Sequence, residues 1–340
     1  MARRARRKPK KEKEARLLVS DYQMPGEKQA YWQGVGLTIG LFVWLGLMVL
    51  VFWDTISGGA PIQGTTAYLN LNWQFVWIEF VLLAYPWMTI FVANILATRH
   101  SAKDIKEAGK QRKVMPNNFP DIYRLLSRLT KLGGLKKQPN MYLLDDNAAY
   151  IYAIAGGPGT IVTSTGLRDG LADDEFQALL AHQLGRIKSH HVRTELALQY
   201  VQNANKIFQV LLFPIWMIKF LSAGWQDITE FTADRFAILM MDSSSVLNKA
   251  LVKKAALQNP EADITTEELQ AYLDSTGDIS TDADQMQRHF RLGNFISQQP
   301  NLQDRIEANR EFLTEEQGKQ ALQKMAKIRA RVEGPQSETE

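Results

Sequence analysis

His182 and Arg186 stand four residues apart, so on a helix their side chains leave the same face one turn apart. With a histidine at 186 and a glutamate at 183, that spacing would grip a zinc ion with two imidazoles. The carboxylate between them would then take a proton from a metal-bound water. The pentapeptide is instead His182-Gln183-Leu184-Gly185-Arg186. A glutamine has no proton affinity near neutral pH, so Gln183 can orient a water but not deprotonate it. An arginine stays charged and offers no lone pair, so Arg186 removes a ligand and repels a dication from the vacancy. Loss of the base alone would suggest a deliberate inactivation; loss of base and ligand together reads as a natively degenerate site.

The element that carries these residues is a predicted helix over 174–192. It has an acidic first turn (Asp173, Asp174, Glu175) suited to a helix N-terminus, and Phe176, Leu179, Leu180, Leu184 and Ile187 recur at helical spacing toward a core. A second helical stretch carries Glu230-Phe231-Thr232-Ala233-Asp234-Arg235, where Glu230 and Asp234 also share a face. Upstream, Asn147-Ala148 leads into Ile161-Val162-Thr163-Ser164-Thr165-Gly166-Leu167, and near the C-terminus Gln299-Pro300 precedes Arg305-Ile306.

Together these motifs resemble the M48 metallopeptidase family, which includes heat-shock membrane proteases and CAAX prenyl proteases. The resemblance covers about residues 117–315. It implies an α+β fold: a mainly helical, zincin-like domain with a small β-sheet. It makes Glu230 the position of a third zinc ligand and Asp234 a supporting carboxylate. The sequence departs from the family at Gln183, at Arg186 and at Gln299, where a histidine is usual. Only His182 and Glu230 remain as ligand positions, too few for a closed or catalytic zinc site. His190 and His191 do not replace the missing ligand, because they lie about 12–14 Å along the helix from His182 at 1.5 Å per residue. If Glu230 faces the helix, the Arg186 guanidinium takes the metal's place and pairs with it, with Asp234 or Gln183 accepting a further bond.

The chain has 340 residues, no cysteine and a formal charge of +4. Disulfides and thiol chemistry are therefore excluded. The charge is uneven: residues 1–16 carry nine Lys or Arg against two Glu, a basic arm with too little apolar surface to fold. Tyr31 to Trp53 is an apolar, uncharged run with aromatic residues at both ends, read as an uncleaved membrane span rather than a signal peptide. Residues 54–72 hold no Lys or Arg, whereas 99–113 hold six against two acidic residues, so the charge bias places that loop outside and both flanks inside. Trp73 to Thr98 is the returning span. Its Glu79 is either an ion site or, more in keeping with its depth, a side chain snorkelling to the interface.

Within the domain the sequence predicts a helix over 120–132 and strands over 141–144, 150–155 and 160–164, the last two forming a hairpin across Gly156-Gly157-Pro158-Gly159. In relatives an edge strand of such a sheet holds substrate backbone. Tyr150, Ile151, Tyr152, Ile161, Val162 and Thr163 are thus candidates for binding an extended peptide, against the alternative of a hairpin that only covers the core. The apolar run 207–221 is fifteen residues long with Pro214 and Lys219, read as a membrane-dipping or cleft-covering segment, with a third crossing as the alternative. An acidic lobe of short helices over 255–287 has no calcium-loop spacing. Two further helices follow over 302–331, the second opening at Thr314 with Gln317 as a capping box, and the tail is frayed.

The expected layout is a basic arm (1–30), two transmembrane helices (31–98), a basic linker (99–116), the M48-like domain (117–332) and a flexible tail (333–340). The expected function is a membrane-anchored, catalytically inactive pseudopeptidase that binds membrane-protein or protease partners. The alternatives are an active zinc endopeptidase with an unorthodox site and a structural membrane scaffold. No cofactor is expected, zinc entering only if the ligand argument fails. Expected partners are the bilayer, anionic lipid head groups through residues 3–16, and a protein client. Nucleic acid is disfavoured, because the arm interleaves no aromatic residues for stacking. The expected location is a bacterial inner membrane, with both termini and the main domain cytoplasmic.

Overall fold

The computed structural model describes residues 16–56, 112–195, 223–258 and 302–334, together with residues 206–207 and single positions between 81 and 99. In chain order its elements are α1 (Glu27–Ile56), α2 (Pro120–Leu132), β1 (Asn140–Leu144), β2 (Ile151–Ile154), β3 (Thr160–Ser164), α3 (Thr165–Asp169), α4 (Asp173–Lys188), α5 (Ala223–Met241), α6 (Ser244–Gln258), α7 (Leu302–Thr314) and α8 (Glu316–Glu333). The chain divides into two units, one of Met1–Pro25, Lys103–Val192 and Asp227–Glu340, the other of Gly26–Ala102 and Arg193–Gln226.

In the first unit α4 is the central element. Its N-terminus is fixed by Glu175, whose side chain accepts from the Ala172 N–H at 2.9 Å and pairs with Lys253 of α6 at 2.7 Å. The apolar positions read from the sequence are those it buries: Phe176, Leu179, Leu180 and Leu184 join Leu126 and Leu129 of α2, Phe236 and Leu239 of α5, Leu247 and Leu251 of α6, and Phe312 of α7 in one core. Gly185 sets the separation from α5. A Cβ there would come within 2.9 Å of the Phe236 Cβ, so only glycine lets the two helices approach this closely.

The sheet has the order β1-β3-β2, with β1 parallel and β2 antiparallel to β3. β3 is buried along its whole length. Beyond β1 the Val114 N–H donates to Met141 O at 2.8 Å and the Leu143 N–H to Arg112 O at 3.0 Å, so that edge is covered. β2 is the other edge, and among the described residues no strand pairs with its outer side. Ile161, Val162 and Thr163 therefore lie in the inner strand, and of the candidate edge residues only those of β2 are on an edge.

Residues 16–25, grouped with the basic arm by composition, pack into this unit. Leu17 and Tyr22 are fully buried, Arg16 bonds Gly134 O, Lys324 reaches Asp21 at 2.6 Å, and the Met24 N–H donates to Thr232 Oγ1 at 3.0 Å. Gln317 is drawn into the same contact, its amide donating to Gln23 O at 3.2 Å and accepting from Arg235 at 3.1 Å. That use replaces the expected capping box: Thr314 ends α7, and Glu315 is the N-cap of α8.

In the second unit the Tyr31 ring packs against Trp32 and Trp225 with centroids 5.4 and 5.5 Å away, and Phe42 meets Tyr85 at 6.0 Å. Among the described residues no helix is long and apolar enough to cross a membrane. The first expected span falls on α1. There the described side chains open on Glu27, Lys28 and Gln29 and are diluted by Gln33, Gly34, Gly36, Thr38 and Gly40, with Glu27 and Thr38 buried. The second, over 73–98, falls largely outside the described residues. This finding overturns the transmembrane hairpin, and with it the membrane-anchored function, the bilayer as partner and the integral inner-membrane location. Residues 3–15, 208–221, 259–287 and 335–340 and Gln299, for which the sequence raises expectations, lie outside the described residues.

Candidate functional site

The i, i+4 pair of α4 meets the i, i+4 pair of α5 in the interior of the first unit. His182 sits between the two carboxylates, its Nδ1 2.8 Å from Asp234 Oδ1 and its Nε2 3.3 Å from Glu230 Oε2. Arg186 Nε lies 3.4 Å from Glu230 Oε1. Arg305 of α7 completes the group. Its Nε donates to Asp234 Oδ2 at 2.7 Å and its terminal nitrogen to Oδ1 at 2.6 Å, a two-point grip, while its other terminal nitrogen is 3.4 Å from Glu230 Oε2. All five side chains are buried.

Burial alone would raise the carboxyl of Glu230. The Arg186 charge, the His182 hydrogen bond and Arg305 outweigh it and hold the group well below the usual carboxylate range. Asp234 is lowered in the same way, against burial, by Arg305 and His182. Burial works against the Arg305 charge as well, but Asp234 and then Glu230 hold its guanidinium above its ordinary value. Lys254 of α6 feels the same centre: burial first and the Arg305 charge second bring its ammonium down to about 8. The centre is thus an ion-pair lattice in which two guanidinium groups and one imidazole share two carboxylates.

The family resemblance implies zinc here, and the residues do not fit it. A zinc site needs three protein donors with free lone pairs converging on one point. Glu230 is shared by two guanidinium groups within 3.4 Å, and Asp234 is taken up by Arg305 and His182. Among the described residues no group of three or more His, Asp or Glu side chains is arranged to hold a metal ion. His190 and His191 stand beyond the end of α4, His190 in the left-handed region at φ 64° and His191 buried.

Gln183 is 2% exposed, and its Oε1 has no hydrogen-bond partner among the described residues. It is the one candidate site residue on α4 that the ion-pair lattice does not absorb. Tyr150 and Tyr152 form an aromatic pair at the β2 edge, with centroids 6.0 Å apart and Tyr152 42% exposed.

Arg305 is the residue that sequence reasoning placed without giving it a role. Its signal was the spacing after Pro300, which says nothing about which carboxylate it meets. The Arg186 guanidinium approaches Glu230 but does not grip Asp234; Arg305 does.

The model of peptidase family M48 matches residues 116–312. The chain is 26% identical over 170 residues to a protease HtpX homolog of Helicobacter pylori (strain Shi470), covering 48% of this chain and 53% of that protein. It is 25% identical over 202 residues to one of Moorella thermoacetica, covering 50% and 67%. A protease HtpX homolog of Bacteroides fragilis is 31% identical over a shorter stretch of 106 residues. The chain spans about half the length of the first of these relatives. No solved structure matches it.

Proposed function

This chain belongs to peptidase family M48, and from that premise we propose that it is a degenerate member which binds extended peptide without hydrolysing it. One observation carries the reading: Glu230, the family's third ligand position, is shared by Arg186 and Arg305. Both guanidinium groups are permanently charged, so the carboxylate is neutralised by the protein itself and a dication has no net attraction to the centre. Gln183 cannot act as a general base. What a peptidase scaffold retains when its metal chemistry is gone is its sheet edge. The outer side of β2 supports strand addition of an extended segment, with affinity from main-chain hydrogen bonds.

Zinc content measured by elemental mass spectrometry tests this, on the purified full chain and on a Gln183→Glu, Arg186→His double variant. The expected result is no stoichiometric zinc and no casein cleavage by the parent, with zinc uptake rising toward about one ion per chain in the variant. A parent that carries stoichiometric zinc and cleaves casein would overturn the proposal.

A further inference from the structure

Gln183 poses a problem that its neighbours do not. A buried carbonyl oxygen without a donor costs about 1–3 kcal/mol, and native interiors hold few of them. Every other polar side chain that α4 sends toward the centre is compensated: His182 by two carboxylates and Arg186 by Glu230. Arg186 Nε is buried as well but has the Glu230 carboxylate 3.4 Å away, whereas Gln183 Oε1 is buried and meets no donor among the described residues.

Its place on the helix shows what it faces. Ile187 lies one turn further along the same side of α4. Its side chain packs on the turn joining β2 to β3, where a Cβ built on Gly159 (φ +90°) would lie 2.9 Å from Ile187 Cγ2. The face that Gln183 and Ile187 share is thus directed to the β2–β3 hairpin, while the neighbouring face with His182 and Arg186 is directed to α5. α4 packs directly against β2.

The edge beside it has a defined polarity. The Ser164 N–H donates to Tyr150 O at 3.1 Å, which makes 150 and 164 a hydrogen-bonded pair. Alternation along the antiparallel ladder, with Tyr152 opposite Val162 and Ile154 opposite Thr160, then turns the backbone N–H and C=O of Ile151 and Ala153 outward. No described strand takes them. An extended chain laid on this edge pairs with Ile151 and Ala153 through one set of its amides and presents the alternate set on its other side.

We infer that Gln183 is a peptide-backbone reader: its orphan Oε1 accepts an N–H from the outward set of amides of an extended peptide paired with β2. The occupant is main chain, because the site offers an edge of backbone donors and acceptors plus one neutral acceptor. A carboxylate at this position would add a charge beside Arg186; the amide gives the same acceptor without one. The inference rests on the peptide-binding reading above and names the residue that reads the ligand.

The probe is a fluorescein-labelled decapeptide of alternating valine and threonine flanked by lysines, compared with a twin N-methylated at every threonine. The twin keeps one hydrogen-bonding side for β2 and has lost the N–H groups of the other. Fluorescence anisotropy on the full chain is expected to show the parent peptide binding about tenfold more tightly than its twin, the worth of one well-made hydrogen bond. In Gln183→Leu that preference disappears, with the melting temperature unchanged or raised, and in Gln183→Glu, which keeps an acceptor, it persists. A Gln183→Leu variant that retains the preference overturns the inference and leaves peptide binding standing. A wild-type chain that binds neither peptide overturns the peptide-binding reading itself, and the inference with it.

Discussion

The two ends of one stretch of α4 bury cations in opposite ways. At Arg186, and at Arg305 which joins it from α7, positive charge is met by the carboxylates of Glu230 and Asp234. One half-turn further on, Lys188 forms no ion pair with a carboxylate among the described residues. Its Nζ donates to Leu17 O and Gly133 O at 2.7 Å each and lies 5.6 and 5.4 Å from the ring centroids of Tyr22 and Phe236. The first solution fixes charge with charge, so both partners stay ionised. The second surrounds a cation with neutral acceptors and aromatic faces, so desolvation is only partly offset: burial, then the nearby Arg16 charge, bring its ammonium down to about 7 against the pull of Asp21. The difference teaches that buried charge in this unit is not one property. One end is an ion-pair lattice that joins α4, α5 and α7; the other is a clasp on residues 16–25.

The sharpest way to break the comparison is to remove the keystone of the lattice. Arg305→Met takes both bonds from Asp234 and one neighbour from Glu230, leaving two buried carboxylates with too little positive charge between them. The expected loss of unfolding free energy is about 3–5 kcal/mol, read from urea unfolding. Arg305→Lys recovers little of it, because a point charge does not reproduce the two-point grip. A loss below about 1 kcal/mol, the level of an exposed pair, would show that the lattice does not hold the helices together.

Acid separates the two ends next. The Glu230 and Asp234 carboxyls are held below their ordinary values in the folded chain. As pH falls, the unfolded chain therefore takes up protons first, at about pH 4, and the folded chain resists. The stability that these groups contribute is fully present above the ordinary carboxylate range and is lost as pH falls through it toward the folded values. Thermal melts between pH 7 and 3 are expected to show a steep acid limb that becomes shallower in an Arg305→Met background. A limb of unchanged slope in that background would assign the acid sensitivity elsewhere.

How far this was legible in the sequence depends on how local each signal is. The periodicity of Phe176, Leu179, Leu180 and Leu184 marks the buried face of α4 without help from the rest of the chain, and the glycine-rich run at 156–159 marks the hairpin between β2 and β3. Gln183 and Arg186 carry their own chemistry wherever the helix packs. Arg305 does not: it is 71 residues from the Asp234 it grips, and one buried arginine looks like any other in sequence. Residues 16–25 adjoin a run of lysines and arginines, so composition assigned them to an arm, although Leu17 and Tyr22 are fully buried. Gln317 matched a local capping pattern, but tertiary partners at Gln23 and Arg235 claimed its amide.

Lys188→Met tests the clasp, with a smaller effect. The methionine keeps the length and packing of the side chain but leaves Leu17 O and Gly133 O without their donor, an expected cost of about 1–3 kcal/mol. The pH dependence has the same sign as that of the lattice, stability rising with pH, but it falls in a higher window. Because the folded ammonium titrates near 7 and the unfolded one near its ordinary value, the unfolded chain holds the extra proton between them, so this lysine makes stability rise with pH across that window. The neutral amine still donates to both carbonyls, so the clasp survives deprotonation while the desolvation cost disappears. Melts between pH 7 and 10 should therefore rise less in Lys188→Met than in the wild type, and limited proteolysis near residue 16 should be faster in the variant throughout. Equal slopes above pH 7 would mean that the carbonyls and the two rings compensate the ammonium fully, and the contrast between the two ends of α4 would reduce to geometry.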